Sequence, residues 1–145
     1  MADNSTIVKS IAIEAPVYVV WEALTTPKLI KRYFYGTDTV TDWKVGSSII
    51  FKGEWEGEKY EDKGIIQEIE TERILKYTYW SAFSGKEDLP ENYSNISYEL
   101  TERGDKTLFT VTQDGFKHRE LRAQALKNWG TVMENLKIMI EQTSF

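Results

Sequence analysis

The chain has 145 residues, no cysteine and a formal net charge of -5. That length suits one domain that buries a core without staples, and the lack of thiols removes disulfides, thiolate metal sites and a cysteine nucleophile. Acidic and basic residues interleave with no basic block, which takes away the main electrostatic drive for nucleic-acid binding, and no apolar run reaches the roughly 18 residues of a membrane span.

Residues Met1 to Thr6 show neither the basic nor the apolar region of a secretory signal, so the cytoplasm is the expected compartment. Aromatic content is high: five Trp, eight Tyr and six Phe. Large rings give contact area with few rotors to freeze, and they either fill a core or line a pocket.

Ile7 to Ile13 alternates and is β-branched, which predicts a strand. Pro16 breaks it and suits a first helical turn. Val17, Val20, Trp21 and Leu24 follow at helical spacing. Thr26 as N-cap and Pro27 at the next position begin a second short helix, with Leu29, Ile30, Tyr33 and Phe34 as its apolar face and Gly36 as its end.

From Trp43 the period is two. Ile49, Phe51 and Trp55 share one face, and a turn is expected at Gly57-Glu58. A strand from about Lys59 to Glu70 carries Gly64, which suggests a bulge or bend. Leu75, Tyr77 and Tyr79 alternate in the next strand, with Trp80 on the opposite phase. Ser84 to Asn95 reads as a loop. Ile96, Tyr98 and Leu100 form a strand, a hairpin turn falls at 103–106, and Phe109 and Val111 mark its partner.

The last segment is amphipathic. Leu121, Ala125, Trp129, Val132, Met133, Leu136 and Ile140 recur at three and four residues, predicting a helix from near His118 to Glu141. Gly130 inside it costs about 1 kcal/mol against alanine, which close approach of the helix to a strand explains. The expected fold is α+β over residues 1–145 as a single domain. A curved antiparallel sheet of about six strands grips one long C-terminal helix, and two short helices follow the first strand. One helix does not fill the hollow of a wide curved sheet, so a cavity between them is expected.

The order of these elements carries a family resemblance. Ala15-Pro16, the run Val20-Trp21-Glu22-Ala23-Leu24-Thr25, Pro27, Asp42-Trp43 with Val45-Gly46, Gly64 within 63–69, Ile74 to Trp80, Thr107 to Gln113 and the helix around Trp129 occur in sequence. Together they resemble the START-like, or helix-grip, superfamily (SRPBCC proteins). The nearest branch is that of the C-terminal domain of the heat-shock-protein ATPase activator. The chain departs from that pattern at Tyr33, where the family often has Trp, at Asn128, often Gly, and at Thr71, often Pro. The resemblance implies a shared apolar cavity, in lipid and steroid carriers, polyketide cyclases, hydroxylase subunits and co-chaperones alike.

Candidate cavity residues on the inward phase are Phe51, Trp55, Tyr77, Tyr79, Tyr98 and Val111, joined from the helix by Trp129 and Met133. Tyr33 and Phe34 are a candidate gate at one end. His118 is the single histidine and reads as a solvated residue. Glu54, Glu56, Glu58, Glu61 and Asp62 gather around one hairpin and read as a solvated edge that resists strand pairing; a weak cation site is the alternative. No nucleotide-binding glycine motif, metal set or cofactor site is visible. The favoured function is binding of a hydrophobic small molecule, of lipid or polyketide type, as carrier or sensor. The alternatives are stimulation of a heat-shock ATPase through surface contacts, in the manner of a stress-response co-chaperone, and a cyclase or dehydratase. The last requires an acid–base group inside the cavity.

Overall fold

The computed structural model describes residues 5–142; the leading residues Met1 to Asn4 lie outside it. Strand β1 (Ile7–Ile13) leads into helices α1 (Val17–Thr25) and α2 (Pro27–Tyr33). Six strands follow: β2 (Asp38–Thr41), β3 (Ser48–Trp55), β4 (Glu58–Glu70), β5 (Ile74–Tyr79), β6 (Ser94–Arg103) and β7 (Lys106–Gln113). Helix α3 (Arg119–Gln142) closes the chain. The strands form one seven-stranded sheet in the order β1-β7-β6-β5-β4-β3-β2. Every pairing is antiparallel. The sheet therefore has one strand more than the sequence suggested. The extra one is β2, a four-residue edge strand too short to show a period of its own.

Neither short helix has a side-chain cap, so Thr26 occupies the N-cap position of α2 without bonding it. Packing holds these helices instead. Val20, Trp21 and Leu24 of α1 are buried, as are Ile30 and Tyr33 of α2. Each such side chain contributes about 1.5–3 kcal/mol, against about 1 kcal/mol for a cap.

The hairpin between β3 and β4 turns one residue earlier than expected. Trp55 pairs with Glu58, and Glu56 and Gly57 carry φ of 50° and 83°. Two successive left-handed residues match the twist of a two-residue hairpin. Gly64 answers to close approach: a Cβ there would sit 1.6 Å from the Thr78 carbonyl oxygen. The bulge itself falls two residues on, between Ile66 and Glu68.

Helix α3 lies over the inward face of the sheet, toward one side of it. Its backbone neighbours are β1, α2 and α1. Lys137 Nζ donates to the Ala12 carbonyl at 2.9 Å, and Glu141 accepts from the Glu14 N–H at 2.9 Å. Gly130 does meet a strand, through the Lys9 side chain of β1: a Cβ would stand 3.2 Å from Lys9 Cε. Trp129, Val132, Met133, Leu136, Met139 and Ile140 are the buried face. Leu121, expected on that face, is 47% exposed, because the first turns of α3 project past the core. No helix among the described residues is long and apolar enough to cross a membrane.

Candidate functional site

Since α3 sits toward β1, side chains alone bridge it to strands β3 to β5. Phe34, at the C-terminal end of α2, makes that bridge. Its ring stacks on Phe51 of β3 at 6.4 Å and meets Trp129 of α3 edge-on at 5.9 Å. Above this bridge opens a cavity of about 690 Å³, within the range of small-molecule sites.

The sheet side of the cavity is Phe51 and Trp55 of β3, Tyr60 and Asp62 of β4, Tyr77 and Tyr79 of β5, and Ile96 of β6. The α3 side is Gln124, Ala125, Asn128, Trp129 and Val132. Tyr35 and Phe83, both about half exposed, stand with the exposed Trp55 at the rim. Trp129 is oriented by its indole N–H, which donates to Gln113 Oε1 at 2.8 Å.

Of the residues singled out from the sequence, Phe51, Trp55, Tyr77, Tyr79, Trp129 and Phe34 line this cavity. Tyr98, Val111, Met133 and Tyr33 do not. Alternation gives the face of a strand and not the depth at which a residue lies. Val111 and Met133 are wholly enclosed. Tyr98 lies beneath Tyr77 and Trp129, its hydroxyl 2.7 Å from that of Tyr77. Tyr33 turns into the core, where its hydroxyl donates to the Ala23 carbonyl at 3.0 Å and ties α2 to α1. Tyr33 and Tyr98 face a void of about 20 Å³ behind Phe34, too small for a ligand.

The sequence reading passed over Asp62. Its acidic neighbours on the hairpin make it look solvated, yet it is 7% exposed while Glu54, Glu56, Glu58 and Glu61 are in solvent. Counting back by twos from Ile66 gives Gly64, Asp62 and Tyr60, which share the inward phase. Oδ2 of Asp62 accepts the Tyr79 hydroxyl at 2.7 Å and Oδ1 accepts the Ala82 N–H at 2.9 Å. Burial, and then the Asp62 charge, hold the Tyr79 hydroxyl well above its ordinary pKa. A second polar pair lies nearby, with the hydroxyls of Thr37 and Tyr60 2.8 Å apart. Trp80, on the opposite phase, packs under its own loop: its indole N–H donates to the Lys86 carbonyl at 3.2 Å, and Lys63 lies over its ring. His118 is exposed. Among the described residues no group of acidic or imidazole side chains is placed to hold a metal ion.

With this geometry in place, the sequence model described as "Activator of Hsp90 ATPase homolog 1-like protein" matches residues 14–141. The chain belongs to that family. A solution structure of a protein from Cytophaga hutchinsonii is 41% identical, with a TM-score of 0.82 over 94% of this chain and 93% of that one. The Aha1 dimer from Colwellia psychrerythraea is 19% identical, with a TM-score of 0.75 over 94% and 96% of the two chains. DynU16, a protein of the dynemicin biosynthetic locus, is 19% identical, with a TM-score of 0.80 over 95% of this chain and 48% of that one. The two more distant likenesses carry the fold alone. No curated protein matches the chain. Membership in the Hsp90 ATPase activator homolog family brings a helix-grip fold that often encloses apolar molecules, and suggests a ligand or a chaperone as partner.

Proposed function

We propose that this protein binds a hydrophobic small molecule, of lipid or aromatic polyketide type, between α3 and the sheet, and acts as its carrier or sensor. One observation carries the reading: a cavity of about 690 Å³, mostly apolar, whose polar lining includes Tyr60 and Asp62 of β4, Tyr79 of β5, and Gln124 and Asn128 of α3. Burial of the ligand would supply roughly 25 cal/mol per Å² of apolar surface removed from water. A titration with lipids and aromatic polyketides, followed by amide shifts, is expected to move Phe51, Tyr77 and Trp129. The variant Ala125→Trp, which fills the space from α3, should abolish those shifts. A broad panel that moves none of them overturns the proposal.

Asp62 supports a second reading, since an interior carboxylate is what acid–base chemistry on a bound ligand requires. The hydroxyl bonded to it, that of Tyr79, is a weaker acid than free tyrosine and so a poor partner for proton transfer. Binding without turnover is therefore favoured, and recovery of a chemically altered ligand by mass would reverse that order. The family description keeps a chaperone in view as well. Stimulation of a purified heat-shock ATPase that survives Ala125→Trp would place such a role on the surface, apart from the cavity.

A further inference from the structure

Among the described residues Asp62 is the only carboxylate in the cavity lining, and no Lys, Arg or His shares that lining. The neighbouring cation is used elsewhere: Lys63 pairs with Asp88 at 2.6 Å. Among the described residues Asp62 has no ion pair. Its two hydrogen bonds, from Tyr79 and Ala82, fix the carboxylate and leave each oxygen capacity for one more donor. Aromatic residues stand around it. Phe51 is its cross-strand partner on β3, Tyr79 holds it from β5, and the Tyr60–Phe83 pair lines the same space with centroids 5.3 Å apart.

A carboxylate that the fold has already desolvated, without a counter-ion and among aromatic rings, is suited to receive a cation. Granted the cavity as a ligand site, we propose that it selects organic amines. The protonated nitrogen sits on Asp62, and the apolar body extends over Phe51 and Tyr77 toward Trp129. The ammonium completes the acceptor capacity of Asp62 through charge-assisted hydrogen bonds. A ligand bearing a carboxylate meets like charge at the same place and is rejected.

Three probes with one naphthyl body separate head group from body: naphthylmethylamine, naphthalenemethanol and naphthoic acid. Calorimetric titration of the wild-type protein should show the amine binding roughly tenfold tighter than the alcohol, the difference between a charge-assisted and a neutral hydrogen bond. The acid should bind weakest. Asp62→Asn should close the gap between amine and alcohol. Equal affinities of amine and alcohol for the wild type would overturn the amine assignment while leaving the cavity reading intact, and so would an amine preference kept by D62N. Failure of all three probes to bind would overturn both. If D62N does not fold, the wild-type ranking decides alone.

Discussion

Two buried threonines make opposite demands on the fold. Thr107 is fully buried, and its hydroxyl donates to the Ala15 carbonyl at 2.8 Å, tying β7 to the start of α1. Thr39 is buried on β2 with no hydrogen-bond partner for its hydroxyl among the described residues. Valine has the same shape without the polar group. Thr107→Val should therefore cost about 1–2 kcal/mol, since it strands a buried acceptor. Thr39→Val should be neutral or stabilise by about 1 kcal/mol, because it removes an unmet desolvation cost. Urea denaturation of both variants checks the pair. A Thr39→Val protein less stable than wild type by the Thr107→Val margin would show that the two hydroxyls are equivalent. Neither role could be read from the sequence. Both threonines sit at ordinary strand positions, and what separates them is a carbonyl some ninety residues away in one case and nothing in the other.

At the scale of elements, period and punctuation carried most of the fold. The interiors of β1, β3 to β7, α1 and α2, and the buried half of α3 follow from alternation, helical spacing, and the breaks at Pro16, Pro27 and Gly36. What escaped were features set by tertiary neighbours: β2, which exists because β3 offers it an edge, and Leu121, which keeps the helical phase where no core lies beneath it. The two unusual glycines show the same limit. Both were noticed in the sequence, yet they differ in what they face. At Gly64 the obstacle is the Thr78 carbonyl of a paired strand, which has nowhere to go. At Gly130 it is the end of the flexible Lys9 side chain. Gly64→Ala should cost several kcal/mol, roughly 3 or more, by forcing β4 from β5. Gly130→Ala should gain about 0.5–1 kcal/mol from helix propensity once Lys9 shifts by a few tenths of an ångström. Thermal melts of the two variants should move in opposite directions. A Gly130→Ala protein that loses stability would mean Lys9 is held in place.

Over the whole molecule the sequence identified the wall of the candidate site better than its polar centre. Phe51, Tyr77, Tyr79 and Trp129 were legible because apolar rings at an inward phase have few alternatives. Asp62 was not, since acidic neighbours on the same hairpin made it look like part of a solvated edge. The aromatic network also makes a prediction about alkaline pH. Burial raises the hydroxyl pKa of Tyr33, Tyr77 and Tyr98, Tyr33 and Tyr77 being raised further by Tyr98, and burial with the Asp62 charge raises that of Tyr79. In the unfolded chain these groups would ionise near the free value of about 10. A folded-state pKa above the unfolded one means that the native state binds more protons as pH rises past that value. The stability from these four hydroxyls is complete below about pH 10 and is lost progressively above it. They should therefore ionise in step with unfolding and not before it. Phenolate absorbance and far-UV circular dichroism recorded on one alkaline titration test this. Fewer than eight phenolates should form while the fold is native, and the remainder should appear in a cooperative step as ellipticity is lost. Full ionisation with the circular dichroism unchanged would mean that water reaches the tyrosines beneath Phe34 and Trp129, and that the floor of the cavity is open.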